Sequence, residues 1–403
     1  MQRYQSYKFE LMANGEQQRQ MRRIAGCCRF VFNQALAAQM ECRDRGEAEP
    51  DFAEFTIRLT QARLRRETKW LAKVPFGCLQ QALRNLERAQ AGYRTCQTRA
   101  PVFKRRGMSD GFRYPGGCYI RLDQTNGRLL VPQLGWLRYR KSRVVLGRVI
   151  NVAINASAEK WFASILTVRE VERQVRSGAA VGIDMGVVRF ATLSDGNFYT
   201  PLNSFQRHEK ALAVAQRRQS RKIRYSNNWR KGKKRIQRIH ARIGNARRDY
   251  LHKISTAISQ NHAIVCIEDL RVSEMSRSHA ADTARVVGSA NSKRRLNKAI
   301  LDQGWYEFRR QLEYKLRWNG GRLVVVSPRG TSTTCLRCRR SAKENRLSQS
   351  QFRCVRCGFE ENADLVGAVN VLRAGHARLA CAETSPAYGV MGQEPTDALR
   401  HDF

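Results

Sequence analysis

Acidic residues are scarce in this chain of 403 residues. Aspartate and glutamate total 34 against 74 lysines and arginines, which leaves a formal net charge of +40 and an isoelectric point near 10.8. This shortage excludes a protein that binds cationic partners over most of its surface. The surplus of positive charge favours a polyanionic partner, and nucleic acid is the first candidate.

Long apolar runs are also missing. No stretch approaches the roughly 18 apolar residues that a membrane-spanning helix needs, and Met1–Lys8 lacks the apolar core of a signal peptide. An anionic membrane surface is therefore the weaker candidate for the polyanion, and no membrane partner is expected. We expect a soluble intracellular protein.

Cysteines are not dense enough for a small secreted disulfide scaffold. Eight of the 12 are irregularly spaced and are expected to be reduced thiols. The other four form two Cys-x-x-Cys pairs separated by fifteen residues: Cys335, Cys338, Cys354 and Cys357. Each pair presents two thiolates on one tight turn, so the two pairs predict a zinc ribbon. Because protein fills all four ligand positions, this single Zn²⁺ is expected to be structural.

A lone carboxylate, Asp184, interrupts the apolar run Val181–Phe190. The run continues to Leu193 and is followed by the turn residues 194–196, so we predict a hairpin with an acid on its first strand. A carboxylate in such a strand costs free energy unless a cation meets it. The alternative interpretation is an ordinary surface aspartate at the end of a strand.

Two later acids strengthen the cation hypothesis. Glu268 ends an apolar run typical of a strand buried on both faces, and Asp364 opens an apolar stretch with helical period. Three acids from distant segments suit a site in which paired divalent metals hold a phosphodiester. Asp269 and Glu361 lie beside two of these acids and rank second as ligands.

The most basic tract lies between the first two acids. Residues 207–248 contain sixteen lysines and arginines but one acid, Glu209. We predict long helices with a thin buried seam formed by Ile223, Ile236, Ile239 and Ile243. A solvated charged face is the usual interpretation of such a run, but sixteen like charges repel one another, and this favours phosphate contacts. The predicted nucleic-acid-binding residues here are Arg217, Arg218, Arg221, Lys222, Arg224, Trp229, Lys231, Lys233, Lys234 and Arg235.

The N-terminal part has a strand pattern at Tyr7, Phe9 and Leu11, then helical patterns from Glu16 to about Ala89. Three amphipathic helices can form a helix-turn-helix DNA reader, although plain packing is the commoner case. After Pro101 short strands dominate, and basic residues alternate with aromatic ones. Lys104 and Arg105 belong to this set and are predicted to grip a nucleic-acid backbone, the alternative being a solvated face.

Two further elements are expected before the first cysteine pair. Asp302 to Leu316 has the apolar spacing of one helix, and Arg322–Ser327 that of a strand. The last residues have little periodicity and are rich in proline and glycine, so a disordered tail is expected there.

The order of these motifs resembles a known family. Gly182-Ile183-Asp184-Met185-Gly186, basic helices, Ile267-Glu268-Asp269-Leu270, the two cysteine pairs and a stretch beginning at Asn362 follow one another. The chain resembles the OrfB or TnpB proteins of bacterial insertion sequences, long called transposases, and more distantly the type V CRISPR effector nucleases. The helical stretch Gly26–Asn33 is similar to the N-terminal segment of that family.

The resemblance implies an α+β multidomain fold. Its RNase H-like (RuvC) α/β domain would span residues 173–334 and 358–374, with the zinc ribbon inserted at 335–357. A β-rich, barrel-like wedge domain would take residues 1–14 and 100–172, a helical recognition domain residues 15–99, and the disordered tail residues 375–403.

The resemblance also implies a function. The protein would bind a guide RNA from the end of its own element and cut double-stranded target DNA that pairs with the guide. Asp184, Glu268 and Asp364 fall on the three metal-binding acids of the family, which would hold two catalytic Mg²⁺ or Mn²⁺ ions. The site of action would be the bacterial cytoplasm, at the nucleoid.

Two motifs depart from the family pattern. In the family the last acid usually begins the motif Asp-x-Asn-Ala-Ala, whereas here Asp364 is followed by Leu365, Val366 and Gly367. In addition, the first cysteine pair is usually followed by a glycine, and here it is followed by Arg339. Neither departure removes a metal ligand. The alternatives to the nuclease are a non-cleaving RNA-guided repressor, a DNA-strand-transferring transposase and a structural RNA chaperone.

Overall fold

The chain divides into two units, Met1–Glu172 and Arg173–Phe403. The computed structural model describes residues 1–108, 110–116, 119–172, 178–275 and 287–383. The first unit begins with strand β1 (Gln2–Leu11) and continues into helix α1 (Gly15–Asp44). Asn14 begins this helix, since its side chain accepts a hydrogen bond from Gln17 N while the Gln17 side chain accepts one from Asn14 N.

The predicted helical patterns of the first unit are confirmed. α2 (Phe52–Leu64), a 3₁₀ helix (Arg66–Lys73) and α3 (Phe76–Arg94) follow α1. Their apolar faces share one core with the strands, formed by residues such as Phe9, Met21 and Leu79. Burial of these faces stabilises the helices far more than their intrinsic propensity does.

The strands of the first unit form two antiparallel sheets. One sheet has the order β1-β7-β6-β2 and the other the order β3-β4-β5. Their bounds are β2 (Gly111–Pro115), β3 (Arg121–Asp123), β4 (Arg128–Val131), β5 (Gly135–Arg138), β6 (Arg148–Ser157) and β7 (Lys160–Glu170). The predicted β-rich character of this segment is therefore confirmed.

The second unit is built on a five-stranded sheet of order β10-β9-β8-β11-β12. Its strands are β8 (Ala180–Asp184), β9 (Ala191–Leu193), β10 (Phe198–Tyr199), β11 (Ile264–Glu268) and β12 (Arg322–Val326). β8, β11 and β12 are parallel, whereas β9 and β10 are antiparallel. The predicted hairpin with an acid on its first strand is confirmed, since β8 ends at Asp184 and pairs antiparallel with β9. The predicted single apolar run from Val181 to Leu193 is wrong, because a loop of residues 185–190 separates the two strands.

Helices cover both faces of this sheet. The helices of the second unit are α4 (Ser204–Ser220), α5 (Asn227–Asn261), α6 (Val272–Met275), α7 (Val287–Gln303), α8 (Trp305–Trp318) and α9 (Ala363–Glu383), of which α4 packs on α5. Val265 and Ile267 of β11 pack with α5 and α8, while Cys266 between them packs with Val371 of α9. The central strand is thus buried on both faces, as its apolar run predicts.

Two helix predictions need correction. The helix predicted from Asp302 to Leu316 is interrupted at Gly304, whose φ of 72° lies in the left-handed region that glycine adopts without strain. The tail predicted to be disordered from residue 375 is helical up to Glu383, and residues 384–403 lie outside the described part of the chain.

The zinc-ribbon segment lies between β12 and α9. It contains a 3₁₀ helix (Lys343–Asn345) and the antiparallel strands β13 (Gln351–Arg353) and β14 (Glu360–Asn362). The predicted division of the chain into five domains stays a prediction. No helix within the described ranges combines the length and the apolar content that crossing a membrane requires.

Candidate active site and zinc centre

Four cysteine thiols converge in the ribbon. Cys335 Sγ lies 3.6 Å from Cys357 Sγ, and Cys338 Sγ lies 3.5 Å from Cys354 Sγ. Sulfur atoms that each lie about 2.3 Å from one zinc ion at tetrahedral angles are about 3.8 Å apart. Within the described ranges, this is the one group of three or more His, Cys, Asp or Glu whose ligand atoms all lie within 4.8 Å. The four thiols can therefore hold a zinc ion.

The two cysteine turns have matching backbones despite their different sequences. Arg339 N donates to Cys335 O, and Gly358 N donates to Cys354 O. Gly358 has a φ of 69°, and Arg339 takes the same left-handed conformation with a φ of 61°. An arginine there costs on the order of 1 kcal/mol relative to glycine. The missing glycine therefore strains the first turn without changing its shape.

Asp184 and Glu268 end two neighbouring parallel strands. β8 ends at Asp184 and β11 ends at Glu268, with Ile267 opposite Ile183 in the register. Carboxyl ends of parallel strands meet at one edge of a sheet, which is where α/β folds place their sites. Asp364 reaches the same edge from the first turn of α9. The structure thus brings these three predicted acids together, and we call them the carboxylate site.

The carboxylate site concentrates negative charge. Burial, and then repulsion from Glu268 and Asp364, raises the pKa of Asp184 to about 7. Burial also raises the pKa of Glu268, whose side chain is 7 % exposed, although the Thr331 hydroxyl and Arg346 oppose the shift. Arg346 Nη2 lies 3.8 Å from Asp364 Oδ1 and offsets part of the repulsion. A site of this kind is suited to cations.

Glycines let α9 approach the strand that carries Asp184. A Cβ on Gly182 would overlap the carbonyl oxygen of Ala368 and lie 2.6 Å from Leu372 N. A Cβ on Gly367 would lie 2.9 Å from Asp184 Oδ2. Asn362 fixes the start of the helix, since its Oδ1 accepts from Asp364 N at 3.1 Å. These contacts fix the spacing between Asp184 and Asp364.

Asp269 and Glu361, the two acids ranked second as metal ligands, make other contacts. Asp269 Oδ1 pairs with Arg309 Nη1 at 2.6 Å, and its side chain is 51 % exposed. Glu361 is exposed, and its Oε1 accepts a hydrogen bond from Asn362 N. Neither is among the groups that raise the pKa of Asp184. The structure therefore favours Glu268 and Asp364 over these neighbours.

Val366 stands where the family motif has asparagine. It is fully buried and packs in the core of the ribbon with Cys335, Phe352 and Cys354. An amide at this position would need hydrogen-bond partners inside an apolar cluster. The valine therefore belongs to the packing between α9 and the ribbon.

The predicted nucleic-acid-binding residues of the basic tract lie on α4, α5 and the loop 221–226, which we call the basic hairpin. Leu212, Ala215, Ile239 and Ile243 form its seam and Ile236 packs against them, so the prediction is confirmed for the three isoleucines of α5. Ile223 is wrong as a seam residue, because it lies in the loop and is 84 % exposed. The exposed predicted cations are Arg217, Arg218, Arg221, Arg224, Lys231, Lys234 and Arg235, whereas Lys222 and Lys233 are half-buried.

Aromatic rings lie at the tip of the basic hairpin. Tyr225 and Trp229 have ring centroids 5.6 Å apart, and Arg224 lies 5.0 Å from the Tyr225 ring centroid. In the first unit, Lys104 is half-buried with its ammonium 4.0 Å from the Phe32 ring centroid, whereas Arg105 is exposed. Of these two predicted phosphate ligands, Arg105 alone presents an exposed side chain.

Sequence reasoning missed three residues around the carboxylate site. Thr331 Oγ1 donates to Glu268 Oε1 at 2.7 Å, Asn370 binds the loop that carries Thr331, and Arg346 faces Asp364. Thr331 follows a predicted strand that is parallel to the Glu268 strand, so its position after that strand was the available signal. Arg346 and Asn370 carry no comparable signal.

Family models match three parts of the chain. The model OrfB_IS605, described as "Probable transposase", matches residues 164–279, and a helix-turn-helix model of the same family matches residues 1–47. The model described as "Cas12f1-like, TNB domain" matches residues 305–371. Over residues 1–47 the structure has β1 and α1, hence one strand followed by one helix.

The chain is similar to whole proteins of this group. It is 49 % identical to the Escherichia coli K12 protein named "Putative RNA-guided DNA endonuclease InsQ" over 99 % of both chains. A Streptomyces pristinaespiralis protein with the same functional name is 32 % identical over 94 % of this chain and 91 % of its own.

A solved structure shares the fold. The Cas12f1 chain of a cryo-EM complex with sgRNA and target DNA matches 92 % of this chain and 98 % of its own, with a TM-score of 0.55 and 11 % identity. This likeness supports a common α+β fold. The sequence identities and the family models above establish that the chain belongs to the OrfB/TnpB family of insertion-sequence-encoded proteins.

Proposed function

We propose that this protein is a transposon-encoded, RNA-guided DNA endonuclease with a RuvC-type, RNase H-like catalytic domain. The observation that carries the proposal is the convergence of Asp184, Glu268 and Asp364, which lie far apart in the chain. Burial, and then the charges of Glu268 and Asp364, raise the pKa of Asp184 to about 7. The E. coli relative at 49 % identity bears the name of such an enzyme. The mixed sheet with helices on both faces is compatible with an RNase H-like fold.

The carboxylate site fits divalent ions. Glu268 and Asp364 oppose a negative charge on the buried Asp184, and hard oxygen ligands are those that Mg²⁺ and Mn²⁺ prefer. Two such ions, when bound, would supply an activated water and stabilise the leaving oxygen of the cut strand. Thr331 would hold the Glu268 carboxylate in place, and the Arg346 guanidinium would meet the phosphate of the bound strand.

We assign the basic hairpin to the nucleic acid. Its exposed arginines and lysines would neutralise backbone phosphates of the guide RNA and of its duplex with the target, without reading sequence. Tyr225 and Trp229 would stack on a base or ribose at the tip. The guide would come from the end of the element, and the protein would act in the cytoplasm at the nucleoid.

A non-cleaving RNA-guided repressor is the second candidate. Val366, in place of the family asparagine, removes an amide next to the carboxylate site. Val366 is buried instead in the apolar core of the ribbon. The three carboxylates favour the nuclease, since a repressor has no use for their mutual repulsion.

The experiment that separates these candidates starts with the protein purified together with its bound RNA. That RNA is sequenced, and a plasmid library carrying the matching target beside randomised flanks is incubated with the complex in Mg²⁺. One defined RNA, with cutting that is lost in Asp184→Ala, supports the nuclease. A defined RNA with target binding but no cutting supports the repressor, and random RNA without cutting overturns both.

The basic hairpin can be tested by salt dependence. Arg217→Gln with Arg218→Gln removes two exposed charges, and we expect the slope of log affinity for RNA against log salt to fall by about 1 to 2. The matched control is Lys253→Gln on α5, since Lys253 pairs with Asp249 at 2.7 Å. An equal change of slope in the control would contradict a specific role for the hairpin.

A further inference from the structure

A threonine hydroxyl holds the buried acid of the carboxylate site. Thr331 Oγ1 donates to Glu268 Oε1 at 2.7 Å, and both residues are 7 % exposed. The same hydroxyl lies 3.0 Å from Pro328 O, but it has one proton to donate, and an ionised carboxylate is the stronger acceptor. The hydroxyl thus fixes Oε1 and leaves Oε2 of Glu268 for a cation.

An asparagine on α9 holds the loop that carries this threonine. Asn370 Nδ2 donates to Thr331 O at 2.8 Å and to Thr334 O at 2.7 Å. Both amide protons are therefore used, and Asn370 is 8 % exposed. Because Asp364 lies on the same helix, one side chain connects the element that carries Asp364 to the loop that holds Glu268.

The loop is continuous with the first pair of cysteines. Thr334 directly precedes Cys335, and its Oγ1 donates to Gly330 O at 2.7 Å, which folds residues 330–334 into a tight turn. Arg373 of α9 donates to Leu336 O at 3.1 Å, just beyond Cys335. Binding of zinc at Cys335 would therefore fix the position of Thr334, and through Asn370 that of Thr331.

We infer that Thr331 and Asn370 are positioning residues through which the first cysteine pair sets the position of the Glu268 carboxylate. The inference rests on the proposed function, because it concerns the divalent ions of the carboxylate site. It assigns the zinc ribbon a role in the affinity of that site for its ions, besides any contact with nucleic acid. Side chains behind metal ligands typically change metal affinity by about 10- to 100-fold.

The test compares two substitutions at one position in the full chain with its bound RNA. Thr331→Val keeps the shape and removes the hydroxyl, whereas Thr331→Ser keeps the hydroxyl. We expect Thr331→Val to weaken Mn²⁺ binding, measured by the electron paramagnetic resonance signal of free Mn²⁺, by about 10-fold. The Mg²⁺ concentration for half-maximal cleavage should rise equally. Zinc content and RNA affinity should stay unchanged, and Thr331→Ser should lie within about twofold of the wild type.

The route from the zinc can be tested separately. Removing zinc from the wild type should lower its Mn²⁺ affinity about as much as Thr331→Val does in the zinc-loaded protein. Removing zinc from Thr331→Val should then lower the Mn²⁺ affinity of that variant little further, because both changes act through the same contact. Asn370→Ala should weaken Mn²⁺ binding in the same way. If zinc removal and Thr331→Val instead lower the Mn²⁺ affinity independently, so that their effects multiply, the inference that the zinc site acts through Thr331 is overturned.

Failure of the inference and failure of the proposed function give different results. If Asp184→Asn abolishes strong Mn²⁺ binding while Thr331→Val binds like the wild type, only the inference is overturned. If Thr331→Ser is as weak as Thr331→Val, the hydroxyl has no positioning role. If the wild type has no Mn²⁺ binding that depends on Asp184, the proposed carboxylate site itself is wrong.

Discussion

The two candidate metal sites of the second unit are built in opposite ways. The thiol site takes all its ligands from residues 335–357, and its sulfur atoms already lie 3.5 to 3.6 Å apart in pairs. The carboxylate site takes its ligands from two strands and a helix that are distant in sequence, and its acids oppose one another. With zinc bound, the first site would stabilise the fold, whereas in the second site burial and neighbouring acids make charge on Asp184 costly, and a bound cation would offset that cost.

The largest expected effect is loss of the thiol site. Cys354→Ser should reduce zinc from one ion per chain to none, because the apparent binding free energy of such sites is on the order of 10 kcal/mol and depends on all four ligands. Without zinc, the buried ring of Phe352 loses its packing with Cys335 and Cys354. Elemental analysis and a zinc-dependent thermal shift measure the effect.

The control for that substitution is Cys96→Ser, since Cys96 is an exposed cysteine of the first unit. Full zinc occupancy in Cys354→Ser, or zinc loss in Cys96→Ser, would contradict the assignment of the four-cysteine site.

A substitution behind the carboxylate site should have the next largest effect. Gly182→Ala places a Cβ against backbone atoms of α9, which cannot move aside as a flexible side chain can, so we expect a loss of about 3 kcal/mol of unfolding free energy. Gly244→Ala on α5 is the matched control: its Cβ meets nothing within 4 Å. That substitution should instead raise helix stability by up to about 1 kcal/mol.

Urea unfolding midpoints of the two glycine variants give the comparison directly. Equal midpoints would mean that β8 and α9 are not packed as closely as described, and that the spacing between Asp184 and Asp364 is set in another way.

The smallest expected effect is a pH-dependent change in stability caused by Asp184. The pKa of Asp184 is raised from 3.8 to about 7, so the folded, magnesium-free protein loses stability as pH rises through this interval. Asp184→Asn removes this penalty and should be more stable than the wild type by about 2 kcal/mol at about pH 8, with the difference shrinking towards about pH 4.

Thermal unfolding of both proteins across this pH range, in buffer free of Mg²⁺, provides the measurement. Added Mg²⁺ should stabilise the wild type and leave Asp184→Asn nearly unchanged. A difference between the two proteins that is independent of pH would contradict the raised pKa of Asp184.

The same contrast explains what the sequence could predict. Cysteine spacing reports a local turn, so the thiol site followed from the sequence with its ligands complete. The strand of Glu268 and the helix of Asp364 followed from their apolar patterns, but their meeting with Asp184 needed the parallel pairing of β8 with β11.

Other features were beyond a pattern of apolar residues. The sequence pattern hides the helix break at Gly304. Trp305 and Phe308 keep the apolar spacing expected from Asp302 onward, so the pattern predicts one continuous helix. Asn370 and Thr331 act through backbone carbonyls and a hydroxyl in a turn, and neither contact leaves a periodic signal. Lys104 looks like a phosphate ligand in sequence, but it packs against Phe32.

The most direct test of the central claim is cleavage of a supercoiled plasmid by the reconstituted complex in Mg²⁺. Four reactions are compared: wild type with a matched guide, wild type with a scrambled guide, and Asp184→Asn and Glu268→Gln with the matched guide. We predict cutting in the first reaction alone, with losses of at least about 1,000-fold in both variants while target binding persists. Cutting that survives in both variants, or that ignores the guide, would contradict the account.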